Sequence, residues 1–240
     1  MIEERMLALR NDAQVEGLSR FFKTGPGQYG EGDRFLGIKV PVTRNLVKEI
    51  WKECSLEELE CSIASPWHEV RLCSLLVLVQ IFKHARKDHE LQQQCVDFYL
   101  EHTRYINNWD LVDLSCYEIL GNWLLDKDCS ILYELARGGK TIWEQRIGMV
   151  SCLQFIRKGE LDHTMAIADI LLHHKHDLIH KAVGWTLREV GKRNKALLKN
   201  YLESCAQGES LPRYATMPRT MLRYAIEKMP EQERQLYMSK

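Results

Sequence analysis

The chain has 240 residues, 45% of them hydrophobic and 28% charged, which is ordinary for a globular protein and long enough for one large core or one elongated repeat array. No apolar run approaches the roughly 18 residues a membrane helix needs, the start Met-Ile-Glu-Glu-Arg-Met lacks a signal peptide, and the eight cysteines contain no C-x-x-C pair or other metal spacing, so a reducing, cytoplasmic setting is expected. The formal net charge is zero, yet the first 120 residues carry net −5 and the rest net +5, with ten basic and four acidic side chains between Lys175 and Arg223.

Almost every segment has a period near 3.6 and almost none alternates. Residues 1–10 and 12–23 read as amphipathic helices. Gly25–Asp33 is a Gly-rich loop without the Gly-Lys-Ser/Thr ending of a phosphate-binding loop. Pro41 opens a helix with Leu46, Val47, Ile50 and Trp51 inward. Ser55-Leu-Glu-Glu58 is a capping-box pattern. Pro66–Lys83 is so broadly apolar that it must have neighbours on several sides. Helices follow over Glu90–His102, Asn108–Leu125, Cys129–Arg137, Trp143–Arg157, Asp162–His173, Ile179–Lys192, Lys195–Cys205 and Pro218–Lys228. Connections are short, and two helices recur about every 40 residues. The expected fold is all-α: a single domain over residues 1–240, a right-handed α-solenoid of HEAT-like helical repeats with a concave binding face. An irregular helical bundle is the plainer alternative.

Candidate chemistry centres on Asn107-Asn-Trp-Asp-Leu-Val-Asp113. The Asn residues are good N-caps, and Trp109 and Asp113 fall four apart on one helical face. Together they offer a flat π surface beside an anion. A core Trp near a cap, with Asp113 placed for the helix dipole, is the ordinary alternative. Three later stretches join it: Trp143-Glu-Gln-Arg146, then His180 to Arg193 with Trp185, Arg188 and Lys192, then Pro218-Arg219 to Arg223. In a solenoid, Trp109, Arg146 and Trp185 would line one groove. Singly, Trp185 reads as core, Arg146 as an ion-pair partner, and Arg188 with Lys192 as a solvated face. A basic stripe holding Arg146, Arg188, Lys192, Arg193 and Arg219 suits phosphate contacts. His173, His174, His176 and His180 lack ligand spacing, so no metal site is expected.

Four motifs in order, Phe35-Leu-Gly-Ile38 with Pro41, Asn108-Trp-Asp-Leu-Val-Asp113, Ile142-Trp-Glu-Gln-Arg146 and Lys181-Ala-Val-Gly-Trp185-Thr-Leu-Arg188-Glu189, resemble the AlkD-type DNA alkylation-repair glycosylases over nearly the whole chain. The resemblance implies a HEAT-like solenoid that cups duplex DNA and excises N3- and N7-alkylated purines. It makes Asp113 the catalytic carboxylate and places Trp109, Trp185 and Arg146 around the lesion. Tyr29 is similar to a DNA-contacting Tyr of the family, although the Gly-rich loop around it departs from the family pattern. It also implies catalysis without base flipping, hence a groove and no deep base pocket. The chemistry fits: a purine alkylated at N3 or N7 is cationic, departs neutral, and needs no general acid, so one carboxylate can suffice where glycoside hydrolysis usually takes two. No metal or cofactor is expected, and the partner is double-stranded DNA met by a monomer that is cytoplasmic and nucleoid-associated when bound. The alternatives are a catalytically inactive DNA-binding module of the same fold and a protein–protein scaffold.

Overall fold

The computed structural model describes residues 1–239. The all-α expectation is borne out: among the described residues the only β pairing is two isolated bridges, Arg34 with Trp67 and Cys205 with Pro212. The helices gather in two compact units, residues 1–119 and residues 120 onward. No helix among the described residues is long and apolar enough to cross a membrane.

The first unit holds α1 (Ile2–Ala8), α2 (Asp12–Phe21), α3 (Val40–Ile50), α4 (Leu56–Ile63), α5 (His68–His84), α6 (His89–Glu101) and α7 (Trp109–Asp113). Its axis is α5, buried on nearly every face, with α1, α3, α4, α6 and α7 packed around it. Ile2 and Met6 of α1 and Leu46, Val47 and Ile50 of α3 supply the apolar side of those contacts. Only half of the expected capping box forms. The Ser55 hydroxyl accepts the Glu58 N–H at 3.3 Å, but the Glu58 carboxylate turns to the Met1 ammonium at 2.8 Å and the Ile2 N–H at 3.2 Å. A local cap thereby becomes a tie between α4 and α1. By contrast α2 buries none of its residues, and Phe21 at its end is 61% exposed.

The helix expected over Asn108–Leu125 is broken. α7 ends at Asp113, the chain turns at Leu114–Ser115, and a π-helical turn runs through Tyr117–Gly121. The Ser115 hydroxyl donates back to the Leu111 carbonyl and also meets the Tyr99 hydroxyl at 3.0 Å. A side chain bonding into the preceding turn is a known cause of such bends.

The second unit holds α8 (Ser130–Gly138), α9 (Ile142–Val150), α10 (Leu153–Lys158), α11 (Asp162–Ile170), α12 (Asp177–Arg193), α13 (Lys195–Glu203), α14 (Arg213–Thr216), α15 (Arg219–Ala225) and α16 (Glu231–Met238). The single helix expected over Trp143–Arg157 is split at Ser151–Cys152, and α14 and α16 add to the expected set. The centre is α12, which buries Ile179, Ala182, Val183, Leu187 and Val190 and packs against α9, α13 and most closely α15. Five cysteines are buried as expected, while Cys61 and Cys205 are exposed.

Gly184 explains how α12 and α15 come so close. A Cβ added there would fall 2.4 Å from the Tyr224 Cβ and 2.5 Å from the Met221 carbonyl oxygen. Backbone as well as side chain would have to move, and overpacking of that kind costs about 1–3 kcal/mol. Gly184→Ala is therefore expected to lower the unfolding free energy by that amount, seen as a lower urea midpoint at unchanged m, while leaving the helical circular dichroism signal in place. An unchanged midpoint would mean that the two helices separate freely.

Candidate functional site

Asn108, with no exposed surface, caps α7 by accepting the Trp109 N–H at 2.9 Å. The five-residue helix that follows carries Trp109 and Asp113 one turn apart, both partly exposed. Trp109 lies against Phe22, ring centroids 5.4 Å apart and 21° from parallel, and meets the edge of Phe21 at 5.8 Å. Beside them is a cavity of about 550 Å³ whose wall is apolar apart from a few ionisable groups. Phe21, Phe22, Phe35 and Leu72 form much of it, with Trp109 and Asp113 in the wall. Tyr29 is partly buried in the loop between α2 and α3.

Behind α7 is a buried charge system that the sequence reading does not include. His68 opens α5 at 1% exposure, with Nδ1 3.1 Å from Asp33 Oδ2 and Nε2 2.9 Å from Asp110 Oδ2. Arg71, one turn later, donates to Asp33 Oδ1 and to Asn107 Oδ1, and Asn108 Nδ2 reaches Asp33 at 3.3 Å. Glu69 faces the other way. Its carboxylate accepts the N–H groups of Leu36 and Gly37 at 2.9 Å and of Ile38 at 3.0 Å. Gly37 makes that turn possible with φ +81°, and a Cβ there would lie 2.0 Å from the Asn11 carbonyl oxygen. Two of the motifs, around Phe35 and around Trp109, are thus both fastened to the first turn of α5. Three charged residues heading an otherwise apolar helix are the signal that could have revealed this, because buried charges need partners.

Burial alone would discharge the His68 ring, but the carboxylates of Asp110 and Asp33 outweigh it and raise its pKa to about 9. Asp33 is also opposed by burial, yet His68 and Arg71 hold its carboxyl below the usual range.

In the second unit Trp185 is partly exposed on α12 and lines a groove of about 500 Å³ with Arg157, Glu189, Lys192 and Arg193. Arg146 is only 5% exposed, and its guanidinium donates to the Leu178 carbonyl in the first turn of α12. Leu178 is two turns before Trp185, so Arg146 seats the helix that presents the indole. The basic stripe is largely internally paired. Arg188 meets Glu227 and Glu189, Lys192 meets both Glu189 oxygens at 2.7 and 2.9 Å, and Lys195 and Lys199 share Glu233. Arg193 and Arg219 are exposed and make side-chain bonds to the carbonyls of Arg157 and Met238. The histidines build a turn: His176 Nδ1 caps α12 by accepting the Leu178 N–H at 3.1 Å, and His174 Nδ1 accepts the His176 N–H at 3.0 Å.

A family model described as DNA alkylation repair enzyme matches residues 2–229. A solved structure from Enterococcus faecalis, described as a predicted DNA alkylation repair enzyme, superposes with a TM-score of 0.66 at 18% identity, covering 92% of this chain and 97% of that one. At that identity the likeness is one of fold. No curated protein matches.

His68 makes stability depend on pH in a definite direction. Its pKa is raised on folding, so its contribution is complete below about 6.5 and is lost as pH climbs through about 9. A shift of this size corresponds to about 3 kcal/mol. Urea unfolding of the wild type is expected to weaken across that window, and His68→Gln to remove most of the slope. Equal slopes in the two proteins would place the imidazole outside the titration.

Proposed function

The chain belongs to the DNA alkylation repair enzyme family, and from that premise we propose that it is a DNA glycosylase that hydrolyses the N-glycosidic bond of cationic N3- and N7-alkylated purines in duplex DNA, opening base-excision repair. The observation that carries the reading is Asp113, one turn beyond a partly exposed Trp109 in a largely apolar wall.

Alkylation at N3 or N7 puts a positive charge on the purine, which then leaves as a neutral base. The demand falls on the deoxyribose, where positive charge builds at C1′. A fixed carboxylate beside that carbon gains most in the transition state, and low-dielectric surroundings strengthen it. Asp113 supplies the anion and orients the water that attacks C1′. The face of Trp109 lies against the sugar and favours the developing cation. The cavity beside them offers little to the hydrogen-bonding edge of a purine, which a base-flipping pocket must read. That supports excision with the base left near the stack. No general acid is required, and hence no cofactor.

In the second unit Trp185 is the aromatic contact to the backbone, with Arg146 holding its helix in place. Arg188, Lys192, Arg193 and Arg219 supply phosphate contacts, for which the acidic partners of Arg188 and Lys192 act as placeholders in free protein. Tyr29 adds a contact from the first unit.

Release of free 7-methylguanine from duplex DNA tests the reading. Asp113→Asn keeps the shape and removes the charge, and loss of such a preorganised group costs about 10²–10³ in rate. Affinity should hold or rise, because an anion facing DNA has gone. Binding without release by the wild type would indicate a DNA-binding module, and absence of both a protein–protein scaffold.

The phosphate contacts have their own test. Arg193→Ala with Arg219→Ala should weaken binding to any duplex and lower the slope of log affinity against log salt by about two units, one for each lost contact. An unchanged slope would make both residues an ordinary solvated face.

A further inference from the structure

The buried side chain of His68 joins the Gly-rich loop, α5 and α7 at once. Both ring nitrogens face carboxylate oxygens, Asp33 at 3.1 Å and Asp110 at 2.9 Å. A neutral imidazole has one donor and one acceptor, so it would turn a lone pair on one of those carboxylates. Only the imidazolium satisfies both. Asp110 in turn uses its other oxygen on the Leu111 N–H at 2.9 Å, inside α7 itself. Asp33 is shared among His68, Arg71 and Asn108. Three of the four residues from Asn107 to Asp110 are therefore fastened to the α5 system. α7 has five residues, too few to hold a helix by its own backbone bonds.

We propose that His68 is a positioning residue for excision: bridging Asp33 and Asp110 as a cation, it holds α7 so that Asp113 keeps its place beside the sugar, and loss of the ring proton slows the reaction. The proposal rests on the glycosylase reading of Asp113. His68 acts through Asp110, three residues before Asp113. Its ring is stacked on Phe35 at 4.6 Å and tilted against Phe22 at 4.8 Å, and Phe22 also supports Trp109. These rings exclude water from the bridge and couple it to the indole. The charged groups around His68 are Asp33 from the loop, Asp110 from α7, and Glu69 and Arg71 from its own helix; Asp113 and Lys39 line the same cavity. Glu69 is committed to three backbone N–H groups and Arg71 to Asp33 and Asn107, which leaves the ring, its pKa raised to about 9, as the group whose proton decides the bridge.

The test is single-turnover release of 7-methylguanine under saturating enzyme from pH 6.5 to 9.5, corrected for spontaneous loss. The wild-type rate is expected to hold to about pH 8 and then to fall towards tenfold per pH unit as one proton is lost. His68→Gln should be slower by about 10- to 100-fold at pH 7, the range for a misplaced reacting group, with duplex affinity within about twofold and no alkaline fall of its own. Asp110→Asn should show the same slow, flat profile, and the double variant should be no slower than either single one. A folded His68→Gln with the wild-type rate and profile overturns the proposal. So does a loss of affinity that accounts for the whole effect, or additive losses in the double variant. If His68→Gln does not fold, a wild-type profile in Asp110→Asn overturns it just as well. No release by the wild type at any pH would defeat the glycosylase reading and the proposal together, whereas release without these effects defeats the proposal alone.

Discussion

Two carboxylates, an imidazolium and a guanidinium, all but buried around the first turn of α5, set the terms for the first unit. Taking such groups out of water costs several kcal/mol each, and mutual attraction repays this only where every polar atom finds a good partner. The demand fixes geometry. Asp33 must sit at the end of its loop, Asp110 must face α5, and Asn107 and Asn108 must complete the set. Glu69 adds the same requirement on the other side, since a slip of the 35–38 segment would strand three buried N–H groups. An apolar core of equal size could be as stable, but it would tolerate such slips.

That rigidity matters because the candidate carboxylate stands on a poor helix. α7 is one turn long, breaks at Ser115 and runs on into a π-helical turn. Irregular helices of this kind recur at functional sites, where a side chain is aimed in a direction a straight helix cannot give. Electrostatic catalysis depends on dipoles and charges already in place when the barrier is crossed. A short, bent helix satisfies that condition only if something outside it bears the load, and here α5 does so through Asp110.

The sequence made the helices legible because burial of one face leaves a period of 3.6, and Ser55, Asn108 and Pro41 mark starts by purely local chemistry. Gly37 and Gly184 fall within the family motifs, and the structure shows both to be points of close backbone approach. What escaped was non-local or without pattern. The pairing of residue 33 with 68, and of 68 with 110, leaves no spacing to read, although His68, Glu69 and Arg71 in a run taken as buried were a usable hint. Glu58 was read as closing its own cap and instead closes onto the chain start. The polar α16 buries only Tyr237 and so carries almost no periodic signal. The bond from the Arg146 guanidinium to the Leu178 carbonyl, between α9 and the start of α12, is likewise one that no local pattern announces. The remaining site assignments rest on the family motifs and on the placement of Asp113 and Trp109.

Within the proposed reaction the uneven charge of the chain acquires a physical meaning. A carboxylate aimed at a polyanion costs binding energy in the ground state and returns it only when the sugar becomes cationic. An enzyme using that strategy must recover affinity elsewhere, from contacts made equally in ground and transition states. The net −5 of the first 120 residues and the net +5 of the remainder match such a division. Phosphate contacts are sequence-independent and strongly salt-dependent, so they supply affinity without interfering with the carboxylate's preference for the transition state. The pairing of Arg188 with Glu227 and of Lys192 with Glu189 then moderates the positive surface in free protein. Each such pair must open for its cation to reach a phosphate, which lowers affinity for intact DNA and leaves the enzyme free to move on. Within that reaction discrimination falls on the charge of the damaged base, which no unmodified neighbour in the duplex carries.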